Sequence, residues 1–390
     1  MVRKIIREIR SFLESKRDEQ LQFLITICNQ NSYSFNRSGV EKIAAMIDKQ
    51  MQDLLPIHEI DPQPKFADHH IYRSNEWQKY IYLAGHMDTV FPPEHPFQAC
   101  RIDQDLLYGP GTGDMKGGLT VIIYTLKTLQ HVGILKDLPI SVIFNSDEEA
   151  GSKTSASLFA REREKALIAL VTECAGLKNE MVISRNGKLG ARLRSYGKAR
   201  HVGFGTHEKS SAILEISNKI IALESLNNSL PDFSLNVGKI EGGLGPATIP
   251  SEATGYIDMR WTDDAHENII LQKIAEIMAV NHQPGCHSEF EVLNSRPAMP
   301  YTGRNRGLIE LVQNTGEELG LQIPTEHRRG TSDANFFGSY GVPTLDGLGP
   351  LSEHDHTENE YIRISSLFER TLLLSVCILK YAETIGSGNE

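Results

Sequence analysis

The chain has 390 residues, long enough for one large domain with a smaller companion, and its 40% hydrophobic and 23% charged content is that of an ordinary globular protein. Lysine and arginine number 40 against 50 aspartates and glutamates, a net charge of -10 with no long basic run, which argues against a nucleic-acid partner. The five cysteines, Cys28, Cys100, Cys174, Cys286 and Cys377, form no C-x-x-C pair; this argues against a disulfide framework or a thiolate zinc site and fits a reducing, cytoplasmic setting.

Residues 1–60 carry two helical patterns. Ile5, Ile6, Ile9, Phe12 and Leu13 are interleaved with charge, so the first is an amphipathic helix rather than a signal peptide, and no stretch of the sequence is apolar enough to span a membrane. The second places Val40, Ile43, Ile47, Met51 and Leu54 on one face.

The run from Tyr80 to Ala84 reads as a buried strand, and it ends in Gly85-His86-Met87-Asp88. Extended geometry continued past Gly85 puts His86 and Asp88 on one side, where the carboxylate can fix the imidazole tautomer that leaves the other nitrogen free for a metal. A surface His and Asp in a turn is the ordinary alternative for this pair alone.

Next comes Gly109-Pro110-Gly111-Thr112-Gly113-Asp114-Met115-Lys116-Gly117-Gly118, leading into a helix marked by Leu119, Ile122, Ile123, Leu126 and Leu129 and stopped at Gly133. The loop lacks G-K-[ST], and Asp114 stands where a dinucleotide fingerprint needs its third glycine. A carboxylate at a helix start repels phosphate and suits a cation. A second strand, Pro139 to Asn145, ends in Ser146-Asp147-Glu148-Glu149-Ala150-Gly151-Ser152. A third, Leu167 to Thr172, ends in Glu173, and a fourth near Val342 to Leu345 leads to His354-Asp355-His356-Thr357-Glu358-Asn359-Glu360-Tyr361. Adjacent glutamates usually mark a solvated turn, yet here they follow a strand, as His86 and Asp88 do.

Strands separated by helices imply a mostly parallel sheet, which binds ligands beyond its strand C-termini. His86, Asp88, Asp114, Glu148, Glu149, Glu173 and His356 then converge on one edge. So many carboxylates repel one another unless a cation neutralises them, and imidazole with carboxylate but no thiolate suits zinc, manganese or cobalt better than magnesium or calcium.

Between these segments the texture changes. Leu189, Ala191 and Leu193 alternate with Arg192 and Arg194; Ile213, Ile216, Ile220 and Leu223 mark a helix; a strand lies near Leu235 to Ile240; and a further strand alternates through Ile257, Met259 and Trp261. A second helix (Ile269, Ile270, Ile274, Ile277, Met278) and a strand with Phe290 and Val292 complete a βαββαβ order. That order predicts a ferredoxin-like sandwich inserted at 189–297, between a first part of the larger domain at 1–188 and a second part at 298–390.

Taken together, Gly85 to Val90, Gly109 to Gly118, Asp147 to Ser152 and His356 to Tyr361 resemble the signatures of the M20 family of metallopeptidases and amidohydrolases, in the family's order and across nearly the whole chain. Within it, Ile240–Trp261 and Arg329–Asn335 look most like the glutamate carboxypeptidase branch, related to acetylornithine deacetylase and succinyl-diaminopimelate desuccinylase. The resemblance implies an α/β catalytic domain built on a mostly parallel sheet, with the insert as lid and dimerisation domain. It implies two zinc ions per chain, with cobalt or manganese as alternatives. Asp114 bridges them, His86 and Glu173 complete one site, and Glu149 and His356 complete the other. Asp88 orients His86, Glu148 is the general base, and a cis peptide is expected at Asp114–Met115. His201 matches the lid histidine that stabilises the oxyanion in the partner subunit's site; an exposed loop histidine is the alternative. Arg260 and the Gly330-Thr331-Ser332-Asp333 loop are candidates to hold a substrate carboxylate.

Two departures stand out. Gly245-Pro246-Ala247-Thr248-Ile249-Pro250 lacks the asparagine that many members carry ahead of Ile-Pro, and His354-Asp355-His356 offers two imidazoles, of which His356 has the commoner spacing to Glu360-Tyr361. The expected function is a dinuclear zinc hydrolase cleaving an amide next to a free carboxylate in a small molecule or short peptide, acting as a homodimer without nucleic acid or membrane. An N-acyl-amino-acid deacylase is the competing reading within that class. Outside it stand a non-catalytic binder of a small acidic ligand and, weakest, a nucleotide-binding enzyme.

Overall fold

Tyr80–His86 and Ile140–Asn145 are buried along their whole length because both faces of the sheet they form are covered. Ile81 and Leu83 pack with Leu119 and Ile122 of the helix Gly117–His131, whereas Tyr82, alternating with them, meets the ring of Phe337. Phe159 and Phe336 stack beside it. The six strands run in the order Ile57–Asp61, His69–Arg73, Ile140–Asn145, Tyr80–His86, Ala166–Val171, Thr344–Leu345. The last four are mutually parallel and only His69–Arg73 runs against them, pairing antiparallel with both Ile140–Asn145 and Ile57–Asp61, which gives a mixed α/β fold with a mainly parallel central sheet.

The sequence reading expected four strands here, and the first two of the six were not seen in it. Ile57–Asp61 (IHEID) and His69–Arg73 (HHIYR) lack an apolar run, and the second is nevertheless wholly buried. Its Arg73 is accommodated by ion pairs to Glu59 and Glu162, both at 2.8 Å, so polar pairing replaces the hydrophobic signal.

The structure, a computed structural model, describes residues 2–204, 209–229 and 231–386. The chain divides into two units: Met1–Ser184 with Tyr301–Arg328 and Ser332–Glu390, and Arg185–Pro300 with Arg329–Thr331. In the first, Ile9 and Leu13 of the helix Val2–Cys28 pack on Phe368, Leu372 and Val376 of the helix Ile364–Gly386. Glu19 ties the same N-terminal helix to Gly117–His131, accepting from Tyr124 Oη at 3.0 Å and Lys127 Nζ at 3.1 Å, with Lys16 Nζ on its other oxygen. Partial burial opposes its ionisation, but these three donors bring its pKa from 4.5 down to about 2. A depressed carboxylate stabilises fully above its unfolded value and loses that contribution as pH falls through its folded one. Because Glu19 is 45% exposed, Glu19→Gln is expected to cost only about 0.5 kcal/mol at pH 7. The difference in melting temperature between the two proteins should shrink between pH 4.5 and about 2; a difference constant over that window would remove the carboxylate as its cause.

The second unit holds a four-stranded antiparallel sheet in the order Ser234–Gly242, Glu252–Trp261, Gly187–Tyr196, His287–Arg296. With the helices Ala212–Glu224 and Asp264–Ala279 between them, the strands run 2-3-1-4 in chain order, the topology of a ferredoxin-like sandwich. Burial alternates residue by residue along Gly187–Tyr196, so Leu189, Ala191 and Leu193 meet Ile257, Met259 and Ile216 on the inner face. Both helices begin at capping side chains, Ser211 accepting from Leu214 N and Asp263 from Ala265 N.

Candidate metal centre

The parallel register sets the site. Asn145 lies opposite His86, and Val171 opposite Ala84, so the residues following all three strands emerge at one edge. His86 is buried at that edge, with Nε2 3.0 Å from Asp114 Oδ1 and 3.7 Å from Glu173 Oε1. His356 Nε2 lies 3.0 Å from Asp114 Oδ2 and 3.2 Å from Glu149 Oε2. Asp114 thus has one oxygen toward each imidazole, and ligand atoms of His86, Asp114 and Glu149 lie within 4.8 Å of one another. The Asp114–Met115 peptide is cis. His356 takes this place with φ at 64°, while the His354 ring lies beside Tyr361.

Asp88, fully buried, organises the turn around this cluster. It accepts from Ser34 Oγ at 2.6 Å and from the amides of Glu148 and Glu149 at 3.2 and 3.1 Å. Its backbone carbonyl faces His86 Nδ1 at 2.9 Å, which leaves Nε2 to face Asp114 and Glu173. Asp147 fixes the far side of the same turn, accepting from Thr154 N, Thr154 Oγ1 and Ser155 Oγ. Glu148 is therefore held by its backbone, half-buried, between two residues with assigned positions.

Sequence reasoning missed the residue that shapes the Asp114 loop. Glu360, 1% exposed, accepts from Gly111 N at 2.9 Å, Gly113 N at 2.8 Å and Asp114 N at 3.1 Å. Gly111 sits at φ 74°, which presents these amides inward. The signal lay in the loop itself: a run of glycine amides at a buried turn needs an acceptor. Gly118 shows why the following helix starts with glycines, since a Cβ there would overlap Thr172 O of the neighbouring strand.

The electrostatics are those of a cage built for positive charge. Burial, then the charge of Asp114, pushes Glu149 up to about 8, and the same two causes push Glu173 well above the carboxylate range. Glu148 adds to the repulsion on both. Bonds to Asp114 and Glu149 raise His356 to about 11 against the effect of burial. Glu149 Oε1 is buried without any hydrogen-bond partner. An orphaned carboxylate oxygen facing imidazoles and two further carboxylates fits a divalent cation with N and O ligands, and His86, Asp114, Glu149, Glu173 and His356 would hold it.

The other candidates lie as follows. His201, in the second unit, is exposed on the strand Arg200–His201 and its Nδ1 accepts from Gly203 N. Arg260, in the same unit, is already engaged by Asp258, through Nε at 2.7 Å, and reaches Arg329 O at 3.4 Å. Gly330 O accepts from Arg185. Ser332 lies in the first unit with its hydroxyl on Asp346 Oδ2 and its amide on Asn335 Oδ1. Both of these groups are thus engaged within the first unit, whereas Arg260, Gly330 and Thr331 belong to the second.

Fold and site define a metal-dependent hydrolase. The model of Peptidase family M20/M25/M40 matches residues 82–380, and the chain belongs to this family of metallopeptidases. It is 27% identical over 308 residues to carboxypeptidase G2 of Pseudomonas sp. (strain RS-16), covering 77% of this chain and 74% of that protein. Among solved structures, an aminopeptidase of Bacillus cereus superposes with a TM-score of 0.75 at 21% identity, covering 93% and 98% of the two chains. A dinuclear metal-binding peptidase of the family from Bacillus subtilis superposes at 0.69 and 15% identity, covering 95% and 99%.

Proposed function

We propose that the protein is a dinuclear zinc hydrolase that cleaves the amide bond next to a free carboxylate, in the manner of a carboxypeptidase. The observation that carries this reading is the cage at the sheet edge, in which Asp114 offers one oxygen to each of two imidazole–carboxylate pairs, with Glu148 next to Glu149 in the turn whose amides Asp88 holds. Likeness to carboxypeptidase G2 supports the substrate side, and the dinuclear Bacillus subtilis neighbour supports the count of two ions.

When bound, two zinc ions supply the positive charge that acidifies a water and polarises the scissile carbonyl. The chain's own residues do the rest. His86 and Glu173 would hold one ion and Glu149 and His356 the other, with Asp114 contributing to each. Asp88 keeps His86 Nε2 directed at the cage. Glu148 takes the proton of the attacking water and delivers it to the leaving amine. His201 is proposed to stabilise the oxyanion across a dimer, with Arg260, Gly330 and Thr331 recognising the substrate carboxylate. A second copy would cover the exposed apolar residues Phe204, Ile221, Ile240 and Leu244 of the second unit. Among the described residues no helix is long and apolar enough to cross a membrane, and all five cysteines are free, consistent with a cytoplasmic location.

The test is a panel on zinc-loaded protein: dipeptides and N-acetyl- and N-succinyl-amino acids, each as free acid and as amide. Free acids should be hydrolysed at least about tenfold faster, the effect of losing one charged hydrogen bond. Preference for acylated amino acids over dipeptides would select the deacylase alternative. Full metal content with no hydrolysis on the panel would leave a binder of small acidic ligands. His356→Ala should lower bound zinc by one ion per chain relative to wild type by elemental analysis; an unchanged count would remove His356 from the ligand set.

A further inference from the structure

A second convergence of ligand atoms lies at the antiparallel edge of the large sheet and shares no residue with the centre described above. His58 is on the outermost strand, His70 and Tyr72 on the next, and Asp48 in the last turn of the helix Arg37–Met51. The register puts His58 directly opposite Tyr72 and His70 opposite Ile60, so residues 58, 70 and 72 share one face of the hairpin. Asp48 reaches that face from the helix. His58 Nε2 is 3.0 Å from His70 Nδ1, which is 2.9 Å from Asp48 Oδ1, and His58 Nε2 is 3.7 Å from the same oxygen. Tyr72 Oη also donates to Asp48 Oδ1.

Protons alone satisfy this arrangement poorly. Each ring nitrogen carries at most one hydrogen. If His70 Nδ1–H points to Asp48, His58 Nε2 at 3.0 Å faces a hydrogen directed elsewhere. If His58 Nε2–H points to His70 instead, the Nδ1 lone pair is turned toward a carboxylate oxygen at 2.9 Å. A cation at the centre removes the conflict, because all three atoms then direct lone pairs at one charge. Zinc–nitrogen bonds of roughly 2.0–2.1 Å in a tetrahedron separate neighbouring ligand atoms by about 3.3 Å. The observed separations of 2.9, 3.0 and 3.7 Å bracket that value.

We propose that His58 Nε2, His70 Nδ1 and Asp48 Oδ1 bind a third zinc ion, joining the end of the helix Arg37–Met51 to the edge hairpin, with water in the fourth position. Tyr72 holds both partners in place. Its hydroxyl orients Asp48, and its ring stacks on His58 at 4.4 Å and 12°. The His58 and Asp48 side chains are 31% and 36% exposed, which leaves an entry path, while His70 at 8% anchors the site inward.

The experiment counts zinc by elemental analysis after equilibration of the full chain with buffered Zn2+. Wild type should hold one ion more per chain than either His58→Gln or Asp48→Asn. A protein carrying Asp114→Ala, in which the central cage is disabled, should retain one ion that is lost when His58→Gln is added. Zn2+ should also raise the melting temperature of the Asp114→Ala protein, and not of that double variant. Both substitutions are at partly exposed positions, and circular dichroism on each establishes folding; if one fails to fold, the other decides. Equal zinc counts in wild type and a folded His58→Gln or Asp48→Asn protein would overturn the proposal, and because the Asp114→Ala arm is independent of turnover, this outcome is distinct from failure of the hydrolase reading.

Discussion

Glu148→Gln is expected to lower kcat by about 10³-fold while leaving the zinc content unchanged, the size of effect associated with losing a positioned general base. The substitution is close to isosteric. The backbone at this position is fixed from outside the side chain, because the amides of Glu148 and Glu149 both donate to the buried carboxylate of Asp88. The turn should therefore survive, and with it the ligand positions of Glu149 and His356. Since Glu148 raises its neighbours Glu149 and Glu173 through its charge, removing that charge eases repulsion among the ligands rather than disturbing them. Steady-state kinetics on the best substrate of the panel, with elemental analysis of the same sample, check both halves. Turnover within tenfold of wild type at equal zinc would remove Glu148 as the base.

Glu360→Gln should be costly in a different way, by loosening Asp114. Glu360 accepts three backbone amides from the loop that carries Asp114, and no water reaches it. A glutamine keeps one carbonyl for Gly113 and Asp114 but turns an NH2 group toward Gly111 N, leaving a buried donor facing a donor. The expected loss of stability is about 1–3 kcal/mol, read from urea unfolding. Because Asp114 is the residue shared by both imidazole–carboxylate pairs, zinc affinity should fall about 10–100-fold, read by competition with a chelator. Unchanged stability and affinity would mean that the loop keeps its shape without this carboxylate.

These two residues mark the limits of reading the chain alone. Glu148 was legible because it stands next to Glu149 at the end of an apolar strand, and a strand end is a place that sequence pattern reveals. The same logic marked His86, Asp114, Glu173 and His356, each just past an apolar run or a glycine turn. Glu360 was hidden because its work is done on backbone amides some 250 residues away in the chain, a contact that no local pattern encodes. Arg260 and Ser332 show the opposite difficulty. Their residue types suit a carboxylate, but Arg260 also pairs with Asp258, two positions along its own strand, and the Ser332 hydroxyl donates to Asp346, which only the fold brings near.

The fold divides along the same line. Periodicity by itself determined the strands Tyr80–His86, Ile140–Asn145 and Ala166–Val171 and the βαββαβ order of the second unit, because burial on both faces or on alternate residues writes itself into hydrophobicity. Only the tertiary structure disclosed the antiparallel edge of Ile57–Asp61 and His69–Arg73, where burial is achieved by ion pairs and hydrogen bonds that leave no apolar imprint. The sequence determined which side chains were available to hold a cation. Which of them share one was decided by strand register and by amides donated from distant turns, since a distance of 3 Å between ligand atoms is set by packing across the sheet and not by spacing along the chain.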